Sequence, residues 1–163
     1  SDLRYVQVLH YGFDGKVKEG ELIVNKKIAK KTVKVFYALY QKKYRIERMR
    51  LIDDYGANDE KSMAANNTSA FNYRVISGTT KLSNHSYGMA INPRINPWVK
   101  GTKVSPANGK VYKQRKTSKC KGKYKRYMIH KNDTAYKIFK KYGFSWGGEW
   151  RNSKDYQHFE VNK

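Results

Sequence analysis

The chain predicts an α+β fold: a small single domain with a central antiparallel sheet flanked by helices. Three observations lead there. Its 163 residues suit one domain with a real core. Several short apolar runs alternate with polar residues and end in turn signals, as antiparallel strands do. Two other stretches carry apolar residues at helical spacing. No internal repeat or linker divides them, so residues 1–163 form a single domain.

Taken in order, Leu3–His10 alternates as a strand, Phe13-Asp14-Gly15 signals a turn, and Glu21–Val24 reads as a second strand. Asn25 can cap a helix reaching about Lys43. Ile28, Thr32, Val33, Phe36, Leu39 and Tyr40 make its apolar face, and lysines cover the other. Tyr44–Ile52 alternates as a strand that Asp53-Asp54-Tyr55-Gly56 ends. Asp59–Ala65 reads as a short helical turn, and Asn66–Ser69 as a loop whose side chains bond the backbone. Phe71–Ser77 is another strand with Arg74 in its middle. Such an arginine is an edge-strand surface residue or a clamp for a carboxylate or oxyanion.

Met89-Ala90-Ile91 then reads as a short buried strand, entered through Gly88, where the backbone must pass close to something. Trp98–Gln114 is mostly loop. Arg115–Lys125 is a basic run, read as a flexible solvated loop or a polyanion contact, the first being the base case. Asn132 or Asp133 caps a second helix through Tyr142, with Gly143 as its stop. Trp146 and Trp150 flank a Gly-Gly turn and suggest a groove wall, although core packing is the commoner use of such rings. Tyr156–Val161 closes the chain as a strand.

Hydrophobic residues are 39% and aromatics 14%, which excludes global disorder. Lys and Arg total 35 against 13 Asp and Glu, a net charge of +22. A charge of that size implies a polyanionic partner or environment, either nucleic acid or an anionic wall or membrane surface. No apolar run is long enough to span a membrane, and no signal peptide is visible at Ser1. The single cysteine, Cys120, excludes an internal disulfide and a Cys-rich zinc site; its basic neighbours would favour a thiolate, but an incidental residue is the simpler account.

The residues richest in chemistry form two clusters. Ser83–Pro97, SNHSYGMAINPRINP, holds His85 just before the Gly88 turn. Asp155–Glu160, DYQHFE, holds His158. His85 and His158 can serve as metal ligands, with a nearby carboxylate as general base, or as hydrogen-bonded core histidines. Asp155 is the obvious base. Positions i and i+3 of an ideal strand face opposite sides, so Asp155 and His158 share a site only if Asp155 lies on a loop or bulge before the strand. Asn92, seven residues after His85, has a neutral amide oxygen and is a poor third ligand.

These blocks resemble the zinc D-alanyl-D-alanine carboxypeptidases and L-alanyl-D-glutamate peptidases of the VanY and phage-endolysin group. The resemblance runs from GELIVN at Gly20 through NNTSAFNYR at Asn66, SNHSYGMAINP at Ser83 and GFSWGGEW at Gly143 to DYQHFE at Asp155. It implies a DD-peptidase/Hedgehog-like fold and a Zn2+ cofactor held by His85 and His158. It makes Asp155 the general base acting on the attacking water. Arg74 would steady the polarised carbonyl, and Ser83, Tyr87 and Gly88 would shape the site. The family pattern places a metal-binding aspartate after the Gly-x-Ala, and this chain reads Ala90-Ile91-Asn92-Pro93. Either Asn92 stands in for that aspartate, or an Asp-Ile pair is absent and Asn92 matches the later Asn of Asn-Pro. The second alignment keeps the NPRINPW block in register and is preferred.

The leading expectation is a zinc peptidase acting on peptidoglycan stem peptides, located at the cell wall or outside the cell. Its partners would be the peptide and anionic wall polymers. A wall-binding module of the same fold is the alternative, favoured by Asn92. A nucleic-acid binder rests on charge alone, since no motif for specific nucleic-acid recognition occurs.

Overall fold

The computed structural model describes residues 2–70 and 87–161. Arg74, Ser83, His85 and the strand expected at Phe71–Ser77 lie outside the described residues. Strands β1 (Leu3–Tyr11) and β2 (Val17–Asn25) form an antiparallel hairpin in register Leu3↔Asn25 to Tyr11↔Val17. The Asp14 carboxylate accepts from the Lys16 amide at 3.0 Å in the connecting turn. Helix α1 (Ala29–Gln41) packs Thr32, Val35, Phe36 and Leu39 into the core. Val35 replaces the expected Val33, which is 45% exposed. Asn25 does not cap this helix: its side chain accepts from Lys27 N at 2.8 Å in the turn just before it. That turn shifts the helix start to Ala29 and so rotates the buried stripe.

No strand spans Tyr44–Ile52. The segment bends at Glu47 and holds only isolated bridges, Tyr11↔Arg45 and Arg48↔Asn67, and its main-chain partners come from several places. Ile46 N donates to Tyr11 O at 2.8 Å, and Met49 O accepts from Glu21 N at 2.9 Å. Asparagine side chains supply other bonds: Asn67 accepts from Arg50 N at 2.8 Å and donates to Arg50 O at 2.9 Å, standing in for a partner strand. Helix α2 (Asp59–Ala64) is capped by Asn58, which accepts from Lys61 N at 2.9 Å. Asn66, Asn67 and Thr68 form the expected backbone-bonding loop, but all three are fully buried.

Strands β3 (Ser69–Ala70), β4 (Gly88–Ala90), β7 (Phe144–Trp146) and β9 (His158–Val161) form a four-stranded antiparallel sheet in the order β3-β4-β9-β7. A three-stranded antiparallel sheet, β6-β5-β8, joins β5 (Trp98–Lys100), β6 (Lys103–Ser105) and β8 (Lys154–Asp155). The class is therefore α+β, but among the described residues the strands are divided among three small sheets. Helix α3 (Thr134–Lys141) is capped by Asp133, whose carboxylate accepts from Tyr136 N at 2.9 Å. Phe139 of α3 stacks on Phe159 with ring centroids 3.9 Å apart and meets Phe36 and Phe144 edge-on, joining both helices to the four-stranded sheet.

The expected loop at Trp98–Gln114 contains the β5–β6 hairpin and a 3-10 helix at Ala107–Lys113. Nor is Arg115–Lys125 a flexible solvated run. Cys120 joins Ile95, Tyr112 and Met128 in a second, smaller core. The Arg115 guanidinium is buried there. It donates to Ile95 O at 2.8 Å, Asn96 Oδ1 at 2.8 Å, Ile129 O at 3.0 Å and Tyr112 O at 3.2 Å. Burial lowers its pKa to about 10. Lysine-rich composition hid a segment whose apolar residues are few but all inward.

Candidate functional site

Register along β9 sets the site. Successive strand side chains alternate between faces, so His158 and Glu160 share one side while Phe159 faces the core. His158 pairs with Ala90 and Glu160 with Gly88 across β4–β9. A Cβ at Gly88 would come within 2.5 Å of Phe159 O, so only glycine lets β4 lie this close. This is the close approach that Gly88 signals in the sequence.

Asp155 reaches His158 by the route the spacing requires. It ends β8, opposite Trp98 of β5, and the chain turns through Tyr156 and Gln157 before β9 begins. Tyr156 N donates to Pro97 O at 3.3 Å, and Ile91 N donates to Gln157 O at 2.9 Å, so the turn is pinned on both sides. Below it, the Arg115 guanidinium lies 4.2 Å from the centroid of the Tyr156 ring. Gly147 presses on the same turn; a Cβ there would meet Asp155 Cβ at 2.9 Å and His158 Cβ at 3.1 Å.

The result is a buried imidazole between two carboxylates. His158 Nε2 is 3.3 Å from Glu160 Oε2, and Nδ1 is 4.0 Å from Asp155 Oδ2. Glu160 Oε2 thus lies beside Nε2, and Nδ1 is the ring nitrogen on the Asp155 side. Sequence reasoning gave Glu160 no role, although the His-x-Glu spacing on a strand places both side chains on one face. Asp155 Oδ1 is buried and has no hydrogen-bond partner among the described residues. Burial raises the Asp155 pKa to about 6; His158 opposes the rise and Glu160 adds to it. A carboxylate poised near neutrality beside an imidazole is suited to taking a proton from water.

One buried imidazole beside a buried carboxylate oxygen that lacks a hydrogen-bond partner is compatible with part of a zinc site, one ligand and its neighbouring base. Among the described residues no group of three or more His, Cys, Asp or Glu is assembled to hold a metal, and His85 lies outside them. Carboxylates are scarce near the site. Between residues 77 and 161 the sequence offers only Asp133, Glu149, Asp155 and Glu160.

Other expected site residues fall into different places. Tyr87 is buried at the edge of the main core. The Trp150 ring lies 5.1 Å from the His158 ring and is half-buried, as a groove wall would be. Trp146 instead belongs to the core. It is 5% exposed, stacks near Phe159, and its indole N–H donates to Tyr156 O at 2.8 Å.

Asn92 is a brace. Fully buried at φ 43°, its amide accepts from Glu47 N at 3.1 Å and donates to Arg45 O at 2.9 Å. Both ends of the side chain are occupied by main chain of the 45–47 segment. Asn92→Asp is therefore expected to lose the bond to Arg45 O and bury a charge, costing about 2–4 kcal/mol. It should not raise zinc affinity. Urea melts and zinc titration of the two proteins check this; tighter zinc binding at unchanged stability would make position 92 a ligand.

No curated protein and no solved structure matches the chain. A family model described as D-alanyl-D-alanine carboxypeptidase matches residues 77–161, from before His85 to the end of β9. That span is 85 of the 163 residues and takes in both histidine clusters and the Asp155–His158 turn, so the chain belongs to the D-alanyl-D-alanine carboxypeptidase family.

Proposed function

We propose that the chain is a zinc-dependent peptidase that cuts the stem peptides of peptidoglycan at the cell wall. It would act as a D-Ala-D-Ala carboxypeptidase or an L-Ala-D-Glu endopeptidase on a DD-peptidase/Hedgehog-like scaffold. The observation that carries this is the Asp155–His158–Glu160 arrangement inside the span that matches the family. His158, with His85, would hold the metal. When bound, zinc would polarise the scissile carbonyl and make the attacking water more acidic. Asp155 takes the proton from that water and passes it to the leaving amine. Glu160 holds the His158 ring in one orientation. Arg74 would stabilise the charge developing on the carbonyl oxygen. Trp150 lines the substrate side, with Ser83 and Tyr87 shaping the approach.

A second reading is favoured by Asn92. With that amide committed to bracing, the site has no aspartate where the family binds metal, and a member that holds wall material without cutting it is the alternative. Zinc content separates the two. Purified protein reconstituted with zinc is expected to hold one ion per chain, with His158→Ala reducing binding by about ten-fold or more. It is also expected to hydrolyse a muropeptide. Protein that takes up no zinc, yet is retained on cell walls in the presence of chelator, would overturn the peptidase and leave the binding module.

A further inference from the structure

Residues 100–131 carry twelve of the 35 Lys and Arg and none of the 13 Asp and Glu. Such a segment repels itself, and the usual outcome is an unfolded, solvated tail. Here it is folded. Tyr112, Cys120 and Met128 pack on Ile95, the Tyr112 hydroxyl accepts from Tyr124 N at 3.1 Å, and Arg115 ties strands of main chain together from within. The remaining cations are therefore displayed on a rigid lobe. Lys116, Lys119, Lys121 and Lys123 are exposed, and among the described residues none of them forms an ion pair.

We propose that this lobe is a docking surface for a linear polyol-phosphate polymer of the cell wall. Three features fit that occupant. Fixed, unneutralised cations along one lobe match a flexible chain with one phosphate per repeat. A groove of about 450 Å3 opens on the lobe, and its Lys43, Arg45 and Arg126 outnumber its one carboxylate, Asp133, whose two oxygens already accept from His130 N and Tyr136 N, so it can receive a phosphate with its polyol. The lobe is also continuous with the site: the β5–β6 hairpin bearing Lys100 and Lys103 pairs through β5 with β8, which carries Asp155. A docked polymer would keep the enzyme against the wall beside its peptide substrate.

Nucleic acid fits less well. Base stacking needs open aromatic faces. Tyr124 and Tyr127 pack on Phe13 at 4.8 and 4.9 Å, Arg94 and Lys123 lie 5.9 and 5.3 Å from the Tyr124 centroid, and Arg126 lies 5.1 Å from that of Tyr127. The rings are occupied by one another and by cations.

The proposal rests on the cell-wall reading of the site but not on which bond is cut, and its test requires no hydrolysis. Binding of poly(glycerol phosphate) to the full chain is measured across a salt series by calorimetry or sedimentation. Lys116, Lys119, Lys121 and Lys123 are changed together to Gln. Affinity is expected to fall about ten-fold or more, and the log K against log salt slope to flatten by about 3, at ~0.7 per phosphate contact. Four exposed lysines near or on α1, Lys26, Lys30, Lys31 and Lys34, are changed to Gln as the matched control and should leave affinity within about two-fold. Equal losses in both variants would make the effect net charge alone and overturn the lobe. Single-stranded DNA of equal phosphate count binding as tightly as the polymer would overturn the choice of occupant. Thermal melts confirm that each variant is folded, and Arg126→Gln, a single change, repeats the slope test with an expected flattening of about 0.7 should the quadruple variant fail to fold.

Discussion

Asp155→Asn is expected to cripple the hydrolysis proposed above and to make the metal-free protein more stable. Loss of a general base lowers turnover by roughly 100- to 10,000-fold. The stability gain follows from the same carboxyl. Its folded pKa, about 6, lies above the ordinary value of 3.8 because the group is buried, with only 13% of the side chain exposed. A group that holds its proton more tightly when folded contributes stability below its unfolded pKa. That contribution is lost as pH rises from about 4 through about 6. Above pH 6 the wild-type protein carries a desolvated carboxylate, which a neutral amide of the same shape does not. The difference of roughly two pKa units corresponds to about 3 kcal/mol at most. For a domain of this size that is a rise of about 5–10 °C in Tm at pH 7.5, shrinking to near zero at pH 4. Thermal melts of the chelated proteins across this pH range test it. A gain independent of pH would assign the stabilisation to packing, and a variant that keeps its activity would remove Asp155 from the mechanism.

The second large effect is expected at Arg115. Arg115→Ala takes this donor from three main-chain carbonyls inside the smaller core and leaves Asn96 Oδ1 with Ile129 N alone. Each unsatisfied buried group costs about 1–3 kcal/mol, partly relieved by water entering the space, so a net loss of about 3–5 kcal/mol is expected. Arg115→Lys should recover only part of it, because an ammonium donates from one point and cannot span four acceptors. Lys116→Ala, next in sequence but exposed, should change stability by less than about 0.5 kcal/mol. Urea unfolding of the three variants checks the order. Similar values for Arg115→Ala and Lys116→Ala would mean that the basic lobe is not held by this residue. The loss should also reach the site, since Arg115 supports the Tyr156 ring between Asp155 and His158.

How much of this was legible in the sequence depends on where each segment finds its partners. The hairpin, both longer helices and β9 were legible because their partners or periodicities are local: the β1–β2 register, the Asp133 cap, the alternation of His158, Phe159 and Glu160. Tyr44–Ile52 alternates as a strand would, yet its bonds go to asparagine side chains about 17 and 45 residues further along the chain. No local pattern announces that. The basic run after Arg115 misled for a related reason. Four inward residues, Tyr112, Arg115, Cys120 and Met128, are irregularly spaced among lysines, and an arginine at the centre of a core is read from sequence as a surface charge. In the site itself, the i, i+3 conflict between Asp155 and His158 correctly demanded a turn between them, and the structure provides one. Glu160 was less legible, because His-x-Glu spacing says only that two side chains share a face, and it is β9 that brings them to 3.3 Å. Trp146 and Trp150 read alike in FSWGGEW, and only the β7–β9 pairing separates the core ring from the one beside His158.

The buried asparagines have one more consequence, and it concerns how the molecule ages. Spontaneous deamidation begins when the main-chain nitrogen of the next residue attacks the asparagine side chain, a step that requires that nitrogen to carry a hydrogen. Asn92 and Asn96 are each followed by proline, Pro93 and Pro97, whose nitrogen has none. Asn92 ties β4 to the 45–47 segment; Asn96 ties the same strand's exit to Ile129 and Arg115. The two amides that bind β4 and its exit to the rest of the protein are thus chemically durable by virtue of the residue that follows each of them.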